Sequence, residues 1–278
     1  MKQREKLSLL YYAACAAVLL VLLTACLAPL LAPYDPTAVS ADEILEHASW
    51  KHWLGTDALG RDVLSRVIYG TRTSVALASA AAFCTMLAGM TLGMLGGYFG
   101  GWTDRIIQFF VNLFQGLPGM SLMVAIAGIL PDNDFRLVIA VTLTSWAGFS
   151  RIVRSEVIRI RNETYMESIR SLGAGHLYIL RHYVWTNTFP LIVVLLTLKI
   201  GSSLLSASAL SYLGLGVSPP TADWGVMISD ARMYFRSYPL MIMAPGLCIT
   251  LFCISINLIG DMLRDRLSVK GENRERNL

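Results

Sequence analysis

Ser74 to Phe99 reads SVALASAAAFCTMLAGMTLGMLGGYF, 26 residues without one charged side chain. An α-helix rises about 1.5 Å per residue, so roughly 20 apolar residues cross the hydrocarbon core of a bilayer. This run is long enough to span. On either side of it, Leu7 to Leu31, Ile106 to Leu130 and Leu240 to Gly260 are equally free of charge, and Phe189 to Tyr212 carries only Lys199. A shorter sixth run, Leu137 to Ser150, lies between Arg136 and Arg151, whose stems can snorkel their charges toward the interfaces. The pattern predicts an all-α membrane protein with about six transmembrane helices. Whole-chain composition agrees, at 55% hydrophobic and 15% charged residues.

Six crossings put both termini on one side, and the basic residues select which. With the termini in the cytoplasm, 15 of the 23 Lys and Arg fall inside and seven outside, Lys199 being the remaining one. The net charge of +4 is thus accounted for by topology, with no nucleic-acid partner required. The expected divisions are a cytoplasmic N-terminus with the first span over 1–32 and an extracytoplasmic segment over 33–73. A five-helix core over 74–278 follows, including a cytoplasmic loop at 151–188 and a cytoplasmic tail. The chain is expected to be multi-pass in an inner membrane, with lipid as its solvent.

Cys15, Cys26, Cys84, Cys248 and Cys253 all lie in apolar runs without CxxC spacing, which argues against structural disulfides. Lys2 to Lys6 ahead of an apolar run, with Leu23-Thr24-Ala25-Cys26 inside it, has features of a cleaved leader. The run continues past Cys26, however, and an uncleaved first span explains it better.

Gly89, Gly93, Gly97 and Gly101 recur every four residues, leaving one helical face bare for close approach of a neighbour. Gln108, Asn112 and Gln115 share one face of the third run, a polar face that lipid cannot satisfy. They serve either as hydrogen-bond partners between helices or as part of a translocation pathway. Pro118 just beyond is expected to kink that helix. Lys199 either marks the pathway or sits close to the cytoplasmic interface of a span that begins later than the apolar run.

Arg151 to Thr188 is the longest cytoplasmic connection. Its Ile152, Val153, Val157, Ile158 and Ile160 alternate with arginines in a helical, amphipathic pattern. A second short unit starts at Asn162-Glu163-Thr164 and reaches Gly173 and Gly175, which suit a helix terminus. A short helix standing off the membrane needs a partner surface.

Glu167-Ser168-Ile169-Arg170-Ser171-Leu172-Gly173, followed by Pro190, resembles the EAA loop of bacterial ABC importer permeases, with Ser168 and Ile169 in place of the two alanines. His52-Trp53-Leu54-Gly55-Thr56-Asp57, Gly60 to Arg66 and Gly70-Thr71-Arg72 resemble the segment before the second span in dipeptide, oligopeptide and nickel permeases. Ser211 to Val217, Pro219-Pro220 and Trp224-Gly225 are similar to the region between their last two spans. The resemblance implies that Glu167, Ser168, Ile169, Leu172 and Gly173 form a coupling helix docked on an ATPase. It further implies a second homologous permease, two ABC ATPase subunits carrying ATP and magnesium, and an extracytoplasmic solute-binding protein. The implied cargo is nickel, as ion or chelate, or di- and oligopeptides. Gly173-Ala174-Gly175-His176 and Asp223 to Ile228 lean toward the nickel branch.

The chain contains no GxxxxGK[ST], HExxH or GxSxG, so it is not expected to be an enzyme or to bind a cofactor. His47 and His52 on one side and His176 and His182 on the other lack helix-face ligand spacing, and no metal site is expected. The rival class is an ion-coupled secondary transporter. It would normally show intramembrane acidic residues or an inverted repeat, and neither is apparent.

Overall fold

The computed structural model describes residues 2–133 and 135–275, with side chains from Leu10 to Leu267 apart from position 134. Among these residues the regular structure is helical, and the sole β-type pairing is an isolated antiparallel bridge between Thr56 and Asp62. The helices are α1 (Lys2–Leu31), α2 (Val63–Phe99), α3 (Gly101–Gly116), α4 (Gly119–Ile129), α5 (Phe135–Arg161), α6 (Thr164–Ser171), α7 (His176–Ile179), α8 (Trp185–Leu210), α9 (Trp224–Ala231) and α10 (Leu240–Glu275). Wide turns at Leu180–Val184 and Ser211–Leu215 join α7 and α8 and prolong them, making one apolar rod over His176–Leu215.

Five helices are long and apolar enough to cross a membrane: Leu10–Leu31, Val63–Phe99, Phe135–Arg161, His176–Leu215 and Leu240–Leu267. The sixth candidate is not the single kinked span expected over Ile106 to Leu130. It is the pair α3 and α4, bent by 95°. Leu117 is extended at φ −90° and ψ 144°, as the residue before a proline prefers, so Pro118 ends one helix and starts another.

The short run Leu137 to Ser150 also proves to be part of something longer. Val153, Val157 and Ile160 carry the buried stripe of α5 onward, and the arginines between them do not stop the helix. Arg136 at its start is buried, donating to the Gly216 carbonyl at 2.6 Å and pairing with Asp132 at 2.9 Å. Likewise α2 begins at Val63, well before Ser74, with Asp62 capping it by accepting from the Ser65 N–H at 2.7 Å.

The glycine face does what its spacing predicts, over three of its four members. A Cβ added at Gly89 would sit 2.7 Å from Phe149 Cβ. At Gly93 it would lie 2.7 Å from the Ser150 carbonyl, and at Gly97 2.9 Å from that of Arg154. The α2 and α5 backbones therefore touch, the association that small residues permit. Gly101 lies beyond the break at Gly100, in α3, with nothing within 4 Å. The first and last helices pack together, and the Tyr11 hydroxyl reaches Asp265 at 3.5 Å. The start of α1 and the end of α10 are consequently at the same end of the bundle.

Candidate functional site

At the end of the bundle where α5 runs out, Glu163 turns the chain in extended conformation and α6 begins, with the Met166 N–H bonded to the Glu163 carbonyl at 2.9 Å. Eight residues are too few for a helix to hold itself in water, so packing must hold it. Met166, 0% exposed, supplies that packing. It enters a cluster with Tyr98, Val157, Ile179, Val184 and Ile192, with Ile169 and Ala174 packed at its edge. Tyr98 also meets His176 Nδ1 at 3.0 Å, fixing the start of α7.

The opposite side of this unit is bare. Glu167, Ser168, Arg170 and Ser171 are exposed, and so are two large apolar residues, Leu172 at 88% and Leu177 at 79%. Gly173 ends α6 in the left-handed region at φ +83°, where glycine carries no Cβ penalty. Its N–H bonds the Arg170 carbonyl at 2.9 Å, and the Ala174 N–H bonds that of Ile169 at 3.3 Å. Gly175, at φ −69°, needs no such freedom and caps α7. The five predicted docking residues thus divide. Glu167, Ser168 and Leu172 point outward, Ile169 helps anchor the helix, and Gly173 makes the turn. Leu177 and Tyr178, both exposed, extend the outward face and were not among the predicted residues. Nothing in the sequence separates them from inward-facing apolar neighbours such as Ile179.

The amides of α3 lie along α5. Asn112 accepts from Arg151 at 3.3 Å, and Gln115 Nε2 stands 3.9 Å from where a Cβ on Gly148 would be. Gln108 is half-buried, with its Nε2 sealed and without a hydrogen-bond partner. Asn112 and Gln115 are otherwise exposed. Where α3 meets α5, Asp104 takes Arg154 in a two-point pair of 2.5 and 2.6 Å. Lys199 is half-buried and forms no ion pair among the described residues.

At the other end, segments far apart in sequence are stitched together. Asp57 accepts from the N–H groups of Leu59 and Arg61 at 2.9 and 3.0 Å and from Arg61 Nε at 2.6 Å. Arg66, 1% exposed, sits 3.6 Å from the same carboxylate and donates to the carbonyls of Pro36 at 3.0 Å and Pro220 at 3.4 Å. Asp230 completes the group at 3.5 Å from Arg61. Burial pushes its carboxyl above the ordinary range, while Arg61 and Arg66 pull it back. Beside it, Ser74 donates to Asp223 at 2.7 Å and accepts from the Trp224 N–H at 3.0 Å, and the Trp224 indole donates to the Val67 carbonyl at 3.0 Å. His52 is buried between Asp62, at 2.8 Å, and Glu43, at 3.5 Å. Among the described residues no group of three or more His, Cys, Asp or Glu could hold a metal ion.

Residues 89–269 match the sequence family described as binding-protein-dependent transport system inner membrane component. The chain is 39% identical over 254 residues to the glutathione transport system permease protein GsiD of Pectobacterium atrosepticum, covering 91% of this chain and 84% of that protein. It is 38% identical over 235 residues to the nickel transport system permease protein NikC of Escherichia coli K12, covering 84% and 85%. Among solved structures, an inward-facing form of the MetNI methionine ABC transporter aligns with a TM-score of 0.59 at 17% identity, over 73% of this chain and 96% of that one. An amino acid ABC transporter aligns with 0.57 at 16%, over 73% and 94%. At these identities the two structures speak for the fold alone.

Proposed function

The chain belongs to the family of binding-protein-dependent transport system inner membrane components, and from that premise we propose that it lines one half of an import pathway for a small peptide, glutathione-like compound or nickel chelate. Membership makes it a multi-pass inner-membrane permease subunit of an ABC importer, without catalytic activity of its own. Such an importer works with ATPase and solute-binding partners, and the secondary-transporter reading falls away. The cargo reading is supported by near-equal identity to a glutathione permease and a nickel permease.

The observation that carries the mechanism is the pairing of a buried Met166 with an exposed Leu172 and Leu177 on one short unit. A helix fixed to the bundle by one side and apolar on the other is built to receive force from a partner. In this reading an ATPase grips the outward face of 164–177, and closure of the ATPase pair moves α6. The Met166 cluster passes that movement to α2, α5 and α8. A second permease of the same family covers the exposed amide face of α3, so that Gln108, Asn112 and Gln115 line the route between the two. Both termini lie in the cytoplasm, a placement supported by the adjacency of α1 and α10 and by the basic-residue bias.

Uptake of radiolabelled nickel, glutathione and a dipeptide should be compared in cells with and without this chain, all other components being retained. Loss of one cargo alone assigns it. Loss of none of the three refutes the cargo class proposed here while leaving the family untouched.

A further inference from the structure

A crevice of about 550 Å³ opens between α5, α8 and α10 on the side of the bundle that carries α6. Its mouth holds Glu156, Arg159, Asn187 and Arg264, and its wall along α8 continues through Leu191 and Val194 to Leu198. From Asn187 to Leu198 a helix rises about 16 Å, close to half the hydrocarbon thickness of a bilayer. The crevice is therefore polar at one end, apolar at the other, and one leaflet deep.

The charges at the mouth are unequally engaged. Arg159 is held by Glu156 at 2.6 Å and Glu163 at 3.2 Å, which satisfies that arginine and occupies the one carboxylate that lines the mouth among the described residues. Asn187 spends one amide N–H on the Tyr183 carbonyl at 2.7 Å. Arg264 forms no ion pair among the described residues. Arg264 is thus the guanidinium at the mouth that has no carboxylate partner among the described residues, and the lining carboxylate, Glu156, is already engaged.

We propose that this crevice binds an anionic phospholipid of the cytoplasmic leaflet, its phosphate on Arg264 and an acyl chain along Leu191, Val194 and Leu198. Basic pockets between membrane helices on this side of the bilayer suit such headgroups. The inference uses the cytoplasmic placement of α6 but not the identity of the cargo.

The test uses the assembled importer in nanodiscs containing equal amounts of phosphatidylglycerol and phosphatidylcholine, each in turn carrying a photoreactive acyl chain. Phosphatidylglycerol should label peptides of α8 around Leu191 in preference to phosphatidylcholine. That preference should fall about fivefold in Arg264→Gln, the factor expected for one basic residue near the membrane surface, and persist in Arg266→Gln, outside the crevice. Leu191→Trp, which fills the crevice and keeps the charge, should lose labelling by both lipids. Equal labelling by the two lipids, an unchanged preference in Arg264→Gln, or cross-linking of a photoreactive group at position 191 to a partner subunit instead of lipid would each overturn the proposal. Failure of cargo assignment in the uptake experiment would leave it standing.

Discussion

Replacement of Gly173 separates two things that its position could mean. The residue sits at φ +83°, a conformation that costs a side-chain-bearing residue about 1–2 kcal/mol, yet a Cβ there meets nothing within 4 Å. In the isolated permease Gly173→Ala and Gly173→Trp should therefore carry the same modest strain, about a 5- to 30-fold bias against the native turn. Gly173→Asn should recover much of it, because asparagine tolerates that region. If the surface is free, the order of impairment is Ala equal to Trp and both worse than Asn. If an ATPase seats on it, Trp has to be accommodated inside an interface and becomes far the worst. The assay is ATP hydrolysis stimulated by cargo-loaded binding protein in proteoliposomes, with cargo uptake per ATP measured on the same vesicles and assembly checked by subunit stoichiometry. A Gly173→Trp complex that assembles fully and matches Gly173→Ala in uptake per ATP refutes the docking argument.

Met166→Ala should remove about 2–5 kcal/mol of packing from α6, with hydrogen exchange rising over 162–176 and not in α2 or α5. Comparable exchange across the whole bundle would show that Met166 belongs to the general core. Gly93→Val should prevent α2 and α5 from meeting and lower the thermal midpoint sharply, whereas Gly128→Ala, with open space around it, should leave the midpoint unchanged. Asp57→Asn strips the carboxylate from two buried arginines and is expected to cost about 3–5 kcal/mol, read as loss of accumulated permease. Adding Arg61→Gln to Asp57→Asn should recover part of that loss, and strict additivity of the two would contradict the shared-carboxylate geometry.

The spans were legible because apolar length is a local property of the chain, and Ser74 to Phe99 declares itself without knowledge of anything around it. Where helices continue past their apolar part, the sequence is silent for a physical reason. Arg66 in the first turn of α2 and Arg154 late in α5 are charges that lie outside the apolar runs. They are neutralised by Asp57 and Asp104, and neither pairing is a feature of local periodicity. Pro118 announced a bend but not its size, since a proline permits a kink or a complete break and the surroundings choose. In the loop, the glycine turn at Gly173 could be read in advance. The anchoring role of Met166 could not, because a methionine in an amphipathic segment carries no mark of which side faces the bundle. The two family-like segments, one leading into α2 and one following α8, read as separate motifs, and the structure joins them where Arg66 donates to the Pro220 carbonyl.

The clearance between α2 and α5 limits how the molecule can move. At Gly89, Gly93 and Gly97 each backbone already occupies the volume that a single methyl group would need, so a ratchet step of one helix along the other would drive Phe149 and Val153 into the opposing chain. These two helices must turn as a single rigid body. Any reorientation has to be absorbed at hinges elsewhere, and the open joints beside that body are the break at Leu117-Pro118 and the glycine pair Gly100-Gly101, both at positive φ.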